Sequence, residues 1–391
     1  MALHIDSLRP AHHFGSPLSR WARRRLDAVL GAADIRLDGH QPWDPQIHHE
    51  RALVRILLGG TLGAGESYMD GDWDCPRLDE LAARLLVAGR DRTLEWRSAA
   101  AILTGAIARV INLQTPARAR RDIHRHYDLG NDLYSAMLGP SWTYSCGYWR
   151  DAVTLHEAQD AKHELICRKL DLRPGQRVLD IGCGWGGFAK YAAERHGVEV
   201  VGVTLSGAQA ARARERCAGL PVEIREHDYR ETGGSFDHII SVGMFEHVGP
   251  RNHRTFFAQA RRLLADDGLL LLHTIGVPES QRTTDPWVNR YIFPDGVLPS
   301  AVQITRAFEG LFVLEDWHSF GSDYDRTLMA WHHNVEKAWP ELAPRYSERF
   351  HRQWRYYVLT AAGAFRARRN LLWQLVLSPR GVRGGYRRPL L

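Results

Sequence analysis

Gln176 to Gly187, "QRVLDIGCGWGG", decides how this chain is read. Val178, Leu179 and Ile181 make an apolar run of the length expected for a buried strand. Gly182, Gly184, Gly186 and Gly187 follow at once. Glycine lets a backbone turn sharply and lets a ligand approach it closely. "GGFAKYAAERHG" then predicts a helix closed by a glycine. The pattern continues outward. "VEVVGVT" predicts a strand and "GAQAARARERCAG" a helix. "VEIREHD" and "FDHIISVG" predict strands, "HRTFFAQARRLLADDG" a helix and "LLLLHTIG" a strand. Alternation at this spacing implies a parallel sheet with helices on both faces. "FVLEDWHSF" and "LLWQLVLS" add two late strands, with a helical stretch over 325–369 between them.

The glycine loop sits between a strand and a helix, the context a nucleotide-type ligand requires. A dinucleotide site wants G-x-G-x-x-G and an acid at the end of the second strand. Here the spacing is G-x-G-x-G-G, and the second strand ends in Thr204-Leu205-Ser206. The other ligand for such a loop is S-adenosylmethionine, with Asp180 just ahead of the glycines. A tight turn holding no ligand is the competing account. Farther on, "MFEHVGP" delivers Glu246 and His247 to the end of a core strand. His273 closes "LLLLHTIG" at the strand end where open α/β sheets bind ligands.

Residues 1 to about 115 read differently. Apolar spacing of three to four predicts helices near 17–33, 47–58, 76–88 and 92–113, broken by turns such as "GGTLGAGESYMDGDWDC". This predicts a smaller helical domain over 1–115 ahead of a catalytic domain over 116–391. The chain has 391 residues and is 44% hydrophobic, room for one large domain or two medium ones. Its formal charge is +6, and all but four of its basic side chains are arginine. Arginines cluster at 23–25, 118–121 and 366–388. The planar, permanently charged guanidinium suits phosphate, so nucleic acid and anionic lipid headgroups are both candidates. A solvated basic surface is the plainer reading. Five scattered cysteines without a CxxC pair argue against zinc and for a reducing, cytoplasmic setting. No run of about 18 apolar residues predicts a membrane span.

The runs "HYDLGNDLYSAMLGPSWTYSCGYW", "VLDIGCGWGG", "VGVTLSGAQ", "SVGMFEHVGP", "LLHTIG", "DPWVNRYIFPDGVLPS", "EDWHSFGSDYDRTLMAW" and "AGAFRAR" occur in that order. Together they closely resemble the cyclopropane-fatty-acyl-phospholipid synthase family. The likeness covers most of the chain, including "GESYMDGDWDC". Mycolic-acid cyclopropane synthases resemble shorter relatives that lack the first domain. The resemblance implies an α/β class I S-adenosylmethionine methyltransferase fold, Rossmann-like, with a mostly parallel seven-stranded sheet. The implied reaction moves a methyl group from the sulfonium to a cis double bond of a phospholipid acyl chain. The resulting carbocation loses a proton from the new methyl and closes a cyclopropane ring. Such a cation is a strong acid, so its base need only be close, oriented and dry.

The same resemblance implies a bound bicarbonate as that base, cradled by Cys146, Glu246, His273, Ile275 and Tyr324. Glu246 as a carboxylate can only accept, so it would take the bicarbonate hydroxyl. His273, the Tyr324 hydroxyl and backbone N–H groups would donate to the other oxygens. Cys146 has no adjacent His or Lys to make it a nucleophile, so its role would run through its backbone. Tyr144 and Trp149 flank it with aromatic faces suited to a sulfonium. His247 has the weaker case and reads as a supporting or structural residue. Ordinary core packing competes for His273, Tyr324, Cys146 and the two aromatics. For the cofactor the resemblance implies Tyr144 and Ser145, the loop carrying Asp180, Gly182, Gly184, Trp185, Gly186 and Gly187, then Thr204, Leu205 and Gln209. Asp228 and Tyr229 would lie near the adenine.

Some family members carry a cysteine just before "GAFRAR"; this chain has Ala361 there. Alkene methylation has no step that needs a thiolate, so activity is expected to survive. Without an anchor, the enzyme must bind the inner membrane face peripherally and draw an acyl chain into an apolar tunnel. Segment 277–300 reads as a lid whose Trp287, Tyr291 and Phe293 line that tunnel. The resemblance also suggests a homodimer, with no nucleic-acid partner. Rival readings are an alkaloid-type N-methyltransferase, an acyl methylase giving a methyl branch, and a non-catalytic lipid binder of the same fold.

Overall fold

The computed structural model describes residues 15–89 and 130–389. The helix expected over 92–113, the boundary expected near 115 and the arginines at 118–121 lie outside those residues. Helix α1 (Pro17–Gly31) opens where Ser16 accepts a hydrogen bond from Ser19 N–H at 3.0 Å and Pro17 presets the first turn. It buries Ala22, Leu26 and Leu30. Strand β1 (Gln46–Ile47) pairs antiparallel with β2 (Trp73–Asp74), and helix α2 (Arg51–Met69) runs between them. Helix α3 (Leu78–Ala88) completes this part.

Helix α2 corrects the sequence reading, which ended a helix near 58 and made the following glycines a turn. The chain breaks at Gly60 (φ 57°, ψ −136°) and then resumes as helix to Met69. The reason is tertiary. A Cβ on Gly65 would stand 2.2 Å from the Trp287 ring, so a residue with no side chain is what lets the two elements meet. Gly63, Gly65 and Ser67 are all buried.

Helices α4 (Asn131–Leu138) and α5 (Leu155–Lys169) lead into the sheet. The next elements alternate: β3 (Arg177–Ile181), α6 (Gly187–His196), β4 (Glu199–Thr204), α7 (Gly207–Arg216) and β5 (Val222–Glu226). After them come β6 (Phe236–Val242), α8 (His253–Leu263) and β7 (Leu264–Gly276). Two short helices, α9 (Pro286–Tyr291) and α10 (Ala301–Phe308), precede β8 (Val313–Ser319). The expected helical stretch over 325–369 is two helices, α11 (Ser322–Leu342) and α12 (Glu348–Arg366), and β9 (Leu371–Ser378) follows. Among the described residues the sheet order is β5-β4-β3-β6-β7-β9-β8. Strands β5 to β7 run parallel, and β9 is antiparallel to both β7 and β8. The α/β class expected from the sequence is what the chain adopts.

This order places the site. From β3 the chain adds β4 and β5 on one side, then crosses over to add β6 and β7 on the other. A crevice opens outside the carboxyl ends of β3 and β6, where the connections diverge. The amino-terminal helices dock on α12. Leu359 of α12 is buried among Leu53, Tyr68, Trp73 and Leu78. Arg366 ties the layers, bonding Asp79 at 2.7 Å and Asp325 at 2.9 Å. Arg352 donates to the carbonyls of Tyr68 and Trp73.

Candidate active site

The crevice is a cavity open to solvent, walled by the ends of β3, β4 and β6. The glycine loop makes one wall. Gly182 has φ 86°, and a Cβ there would fall 2.6 Å from Met244 Cβ, so the turn admits no side chain. Thr204, at the end of β4, donates its hydroxyl to Gln209 Oε1 at 2.8 Å. Ser206 caps α7 by accepting from Gln209 N–H at 3.2 Å. These two bonds hold Gln209 at the cavity edge. Asp228 accepts from the Arg230 guanidinium at 2.8 Å. Of the thirteen residues assigned to the cofactor, the structure sets Tyr144, Ser145, Asp180, Gly182, Gly184 and Trp185 along this cavity, with Gly187, Thr204, Leu205, Gln209, Asp228 and Tyr229. Gly186 stands behind the wall, close to Cys217 and Ala213.

Sequence reading missed Lys162. It is fully buried on α5, lines the cavity, and donates to Ser145 Oγ at 2.8 Å. Burial pushes its pKa down to about 7, while nearby Cys146 and Asp180 pull the other way. Asp180 is buried too, and desolvation raises its carboxyl to about 7 against the pull of Lys162. A lysine among the charged and polar residues of "QDAKHE" gives no sequence signal of a site; it becomes visible when α5 packs behind Ser145. His247 lines the cavity, and burial holds its ring neutral, with a pKa near 4. This donor set fits S-adenosylmethionine: a cation and an acid for the amino-acid end, polar groups at Gln209 and Asp228, and apolar walls between.

The second group lies beside the cavity. Glu246 sits in the short 3-10 turn Phe245–His247 after β6. Its Oε1 accepts from Ile275 N–H at 2.6 Å. Burial raises its pKa to about 7. His273 lies on the neighbouring strand, opposite Val242. The Gln374 amide nitrogen lies 3.2 Å from His273 Nδ1, and with the amide assigned to donate there the ring proton is on Nε2. Burial holds this ring well below its usual pKa. Both Glu246 Oε2 and His273 Nε2 are buried and meet no hydrogen-bond partner among the described residues. Tyr324, in the first turn of α11, packs at a tilt on Phe365 with ring centroids 4.5 Å apart. Tyr324, Cys146 and Phe320 share one apolar cluster, Ile275 packs on it, and the His273 ring meets Phe320 at 5.8 Å. Glu246, His273 and Ile275 therefore meet at the ends of β6 and β7, while Cys146 and Tyr324 belong to the apolar cluster on which Ile275 packs.

Cys146 is fully buried, and desolvation drives its thiol pKa well above the usual range, which fits a structural and not a nucleophilic cysteine. Two expectations change. Trp149 does not face the cavity: it packs with Ala152 and Ala158 and donates to Thr327 Oγ1 at 2.8 Å. Within 277–300, Trp287 is buried against α2 and donates to Met69 Sδ at 3.3 Å. Tyr291 donates to Glu66 Oε1 at 2.9 Å. Both serve as anchors between the two parts of the chain. Phe293 meets His247 and Tyr357 at 5.6 and 5.8 Å, nearer the site. Ala361 lies partly buried on the same apolar cluster as Tyr324.

The family model described as mycolic acid cyclopropane synthetase matches residues 114–375. A cyclopropane-fatty-acyl-phospholipid synthase of Escherichia coli (strain K12) is 51% identical over 371 residues, covering 95% of this chain and 96% of that protein. The crystal structure of mycolic acid cyclopropane synthase CmaA1 in complex with SAH and CTAB aligns with a TM-score of 0.62 and 33% identity, over 66% of this chain and 97% of that one. Coclaurine N-methyltransferase, bound to N-methylheliamine and SAH, reaches a TM-score of 0.67 over 84% of this chain and 99% of that one. At 20% identity that likeness concerns the fold alone. Extended sequence identity, the family-model match over 114–375 and a shared fold place this chain in the mycolic acid cyclopropane synthetase family of S-adenosylmethionine-dependent methyltransferases.

Proposed function

We propose that this protein transfers a methylene unit from S-adenosylmethionine to the cis double bond of unsaturated phospholipid acyl chains, closing a cyclopropane ring. The cofactor supplies an electrophilic methyl group. The observation that carries the reading is the pair of buried atoms left over beside the cavity. Glu246 Oε2 is an acceptor and His273 Nε2 a donor, both dry and both without partners among the described residues. Such a pair complements bicarbonate, which offers one hydroxyl and several acceptor oxygens. Glu246, held by Ile275 N–H, would take the hydroxyl, and His273, held by Gln374, would donate to an oxygen. Tyr324 and the backbone near Cys146 would complete the cradle, the Ile275 N–H being engaged by Glu246. A bicarbonate held there would supply a weak base shielded from bulk water.

No described helix is long and apolar enough to cross a membrane. Peripheral contact with an anionic surface is supported by α1, whose outer face exposes Leu18 and Trp21 at 51% and 40% beside exposed Arg24 and Arg25. Such contact would put the enzyme on the inner face of the cytoplasmic membrane, and a homodimer would present two such helices. The test is incubation with S-adenosylmethionine and vesicles of unsaturated phospholipid, followed by mass analysis of the acyl chains. The expected product gains one CH₂ and loses its double bond. A product carrying two further hydrogens would mean a reduced methyl branch, and unchanged lipid would overturn the reading. Omitting bicarbonate from degassed buffer is expected to slow turnover.

A further inference from the structure

Two lysines are fully buried, and they differ in one respect. Lys169 has an acid: its Nζ meets Asp316 Oδ2 at 3.1 Å and His318 Nδ1 at 3.3 Å. Lys162 has none. Its ammonium has one hydrogen-bond partner among the described residues, the Ser145 hydroxyl at 2.8 Å. An ammonium carries three donors, so two point elsewhere. The side chain lines the cofactor cavity together with Ser145 and Asp180. A desolvated cation with spare donors is costly unless an anion arrives to pair with it.

We propose that Lys162 is the cationic partner of the cofactor's α-carboxylate, acting with the Ser145 hydroxyl, while Asp180 takes the α-ammonium. The geometry of the pair supports this division. Lys162 donates to Ser145 Oγ, so the serine keeps its own proton to donate onward. Gln159 Nε2 donates to the Ser145 carbonyl at 2.8 Å and fixes that residue in place. Lys162 and Asp180 are close enough for each to favour the other's charged form, yet they are not joined in an ion pair. A separated cation and acid in one dry cavity are complementary to an amino-acid zwitterion. The carboxylate of the cofactor, and not bicarbonate, is assigned because Lys162 lines the cofactor cavity.

The assignment rests on that cavity being the cofactor's, and calorimetry separates the two questions. The probes are S-adenosylhomocysteine, its descarboxy analogue and 5′-methylthioadenosine, which lacks the whole amino acid. The wild-type protein should prefer S-adenosylhomocysteine to the descarboxy analogue by about 10- to 100-fold, the worth of a charge-assisted hydrogen bond. Lys162→Met should weaken S-adenosylhomocysteine by a similar factor and leave 5′-methylthioadenosine unchanged, which also certifies that the variant is folded. Equal losses for all probes would make Lys162 a packing residue and overturn the proposal. So would a wild-type protein indifferent to the carboxylate, a result that needs no variant. If Lys162→Met affects binding only when bicarbonate is present, the lysine serves that anion and the proposal fails. If the wild type binds none of the three, the cavity is misassigned and the proposal falls with it.

Discussion

Glu246 holds a carboxyl in a dry turn, and its pKa near 7 follows from desolvation outweighing the Ile275 N–H bond. The folded state keeps a proton there that the unfolded chain releases near 4.5. Stability from this group is therefore fullest below the ordinary carboxylate range and is lost as pH rises through about 7. Glu246→Gln removes that loss. Thermal melts at pH 8 should show the variant more stable than wild type, by a few kcal/mol at most (a shift of one unit is about 1.4 kcal/mol). At pH 5 the gap should close. At pH 8, where wild-type Glu246 is ionised, turnover of the variant should vanish, because the amide presents a donor where an acceptor is needed. A variant that melts like wild type throughout would count against a buried, titrating Glu246. Gln374 acts one step farther back, since it sets which ring nitrogen of His273 carries the proton. Gln374→Leu should lower kcat about tenfold, the worth of one lost hydrogen bond. KM should stay unchanged because Gln374 orients His273 without touching substrate. A matched fall in kcat and rise in KM would point to general collapse of the pocket.

Helices α2 and α9 meet where Gly65 abuts Trp287, and α3 meets α12 through Arg366. These contacts are the joints between the amino-terminal helices and the methyltransferase sheet. Gly65→Ala inserts a methyl group into a closed contact, so urea unfolding should show a loss of about 1–3 kcal/mol. A neutral result would mean that α2 shifts freely against Trp287. Arg366→Met strands Asp79, which is 1% exposed and keeps Arg77 at 2.9 Å as a second partner. The remaining partner should hold the cost near 1–3 kcal/mol, short of the larger penalty for a buried charge left alone. Destabilisation confined to the amino-terminal helices, read by hydrogen exchange, would show that Arg366 acts as a joint and not as a core residue.

The basic excess is a property of the whole molecule, yet part of it is structural. Arg366 is bound to Asp79 and Asp325, Arg388 bonds Asp316 at 2.8 Å, and Arg23 bonds Asp38 at 2.8 Å. Arg24 and Arg25 remain on the exposed face of α1 beside Trp21. Binding to anionic vesicles should weaken as salt rises, since exposed charges are screened beyond about 8–10 Å at physiological ionic strength. Replacing Arg24 and Arg25 with Gln should flatten that salt dependence, measured by vesicle co-sedimentation. Binding that ignores salt and falls with Trp21→Ala would place the contact in apolar insertion alone.

The strands, the glycine loop and the alternation that builds a parallel sheet were legible along the chain, because each depends on local period and on residues that tolerate a turn. The convergence of cofactor residues was legible because they lie at strand ends, and open sheets gather such ends at one edge. Glu246 and His273 stood out for the same reason. Other features had no local signature. The glycines of "GGTLGAGESYM" continue a helix, and Gly65 among them serves a close contact with Trp287, more than 200 residues away. Trp149 and Trp287 read as site aromatics, yet burial sent Trp149 to a separate cluster and set Trp287 against α2. Lys162 and Gln374 gained their roles when α5 and β9 packed behind Ser145 and His273. A sequence records which groups a segment carries and how often they recur; which of them lose water and lack a partner is decided when distant elements close over them.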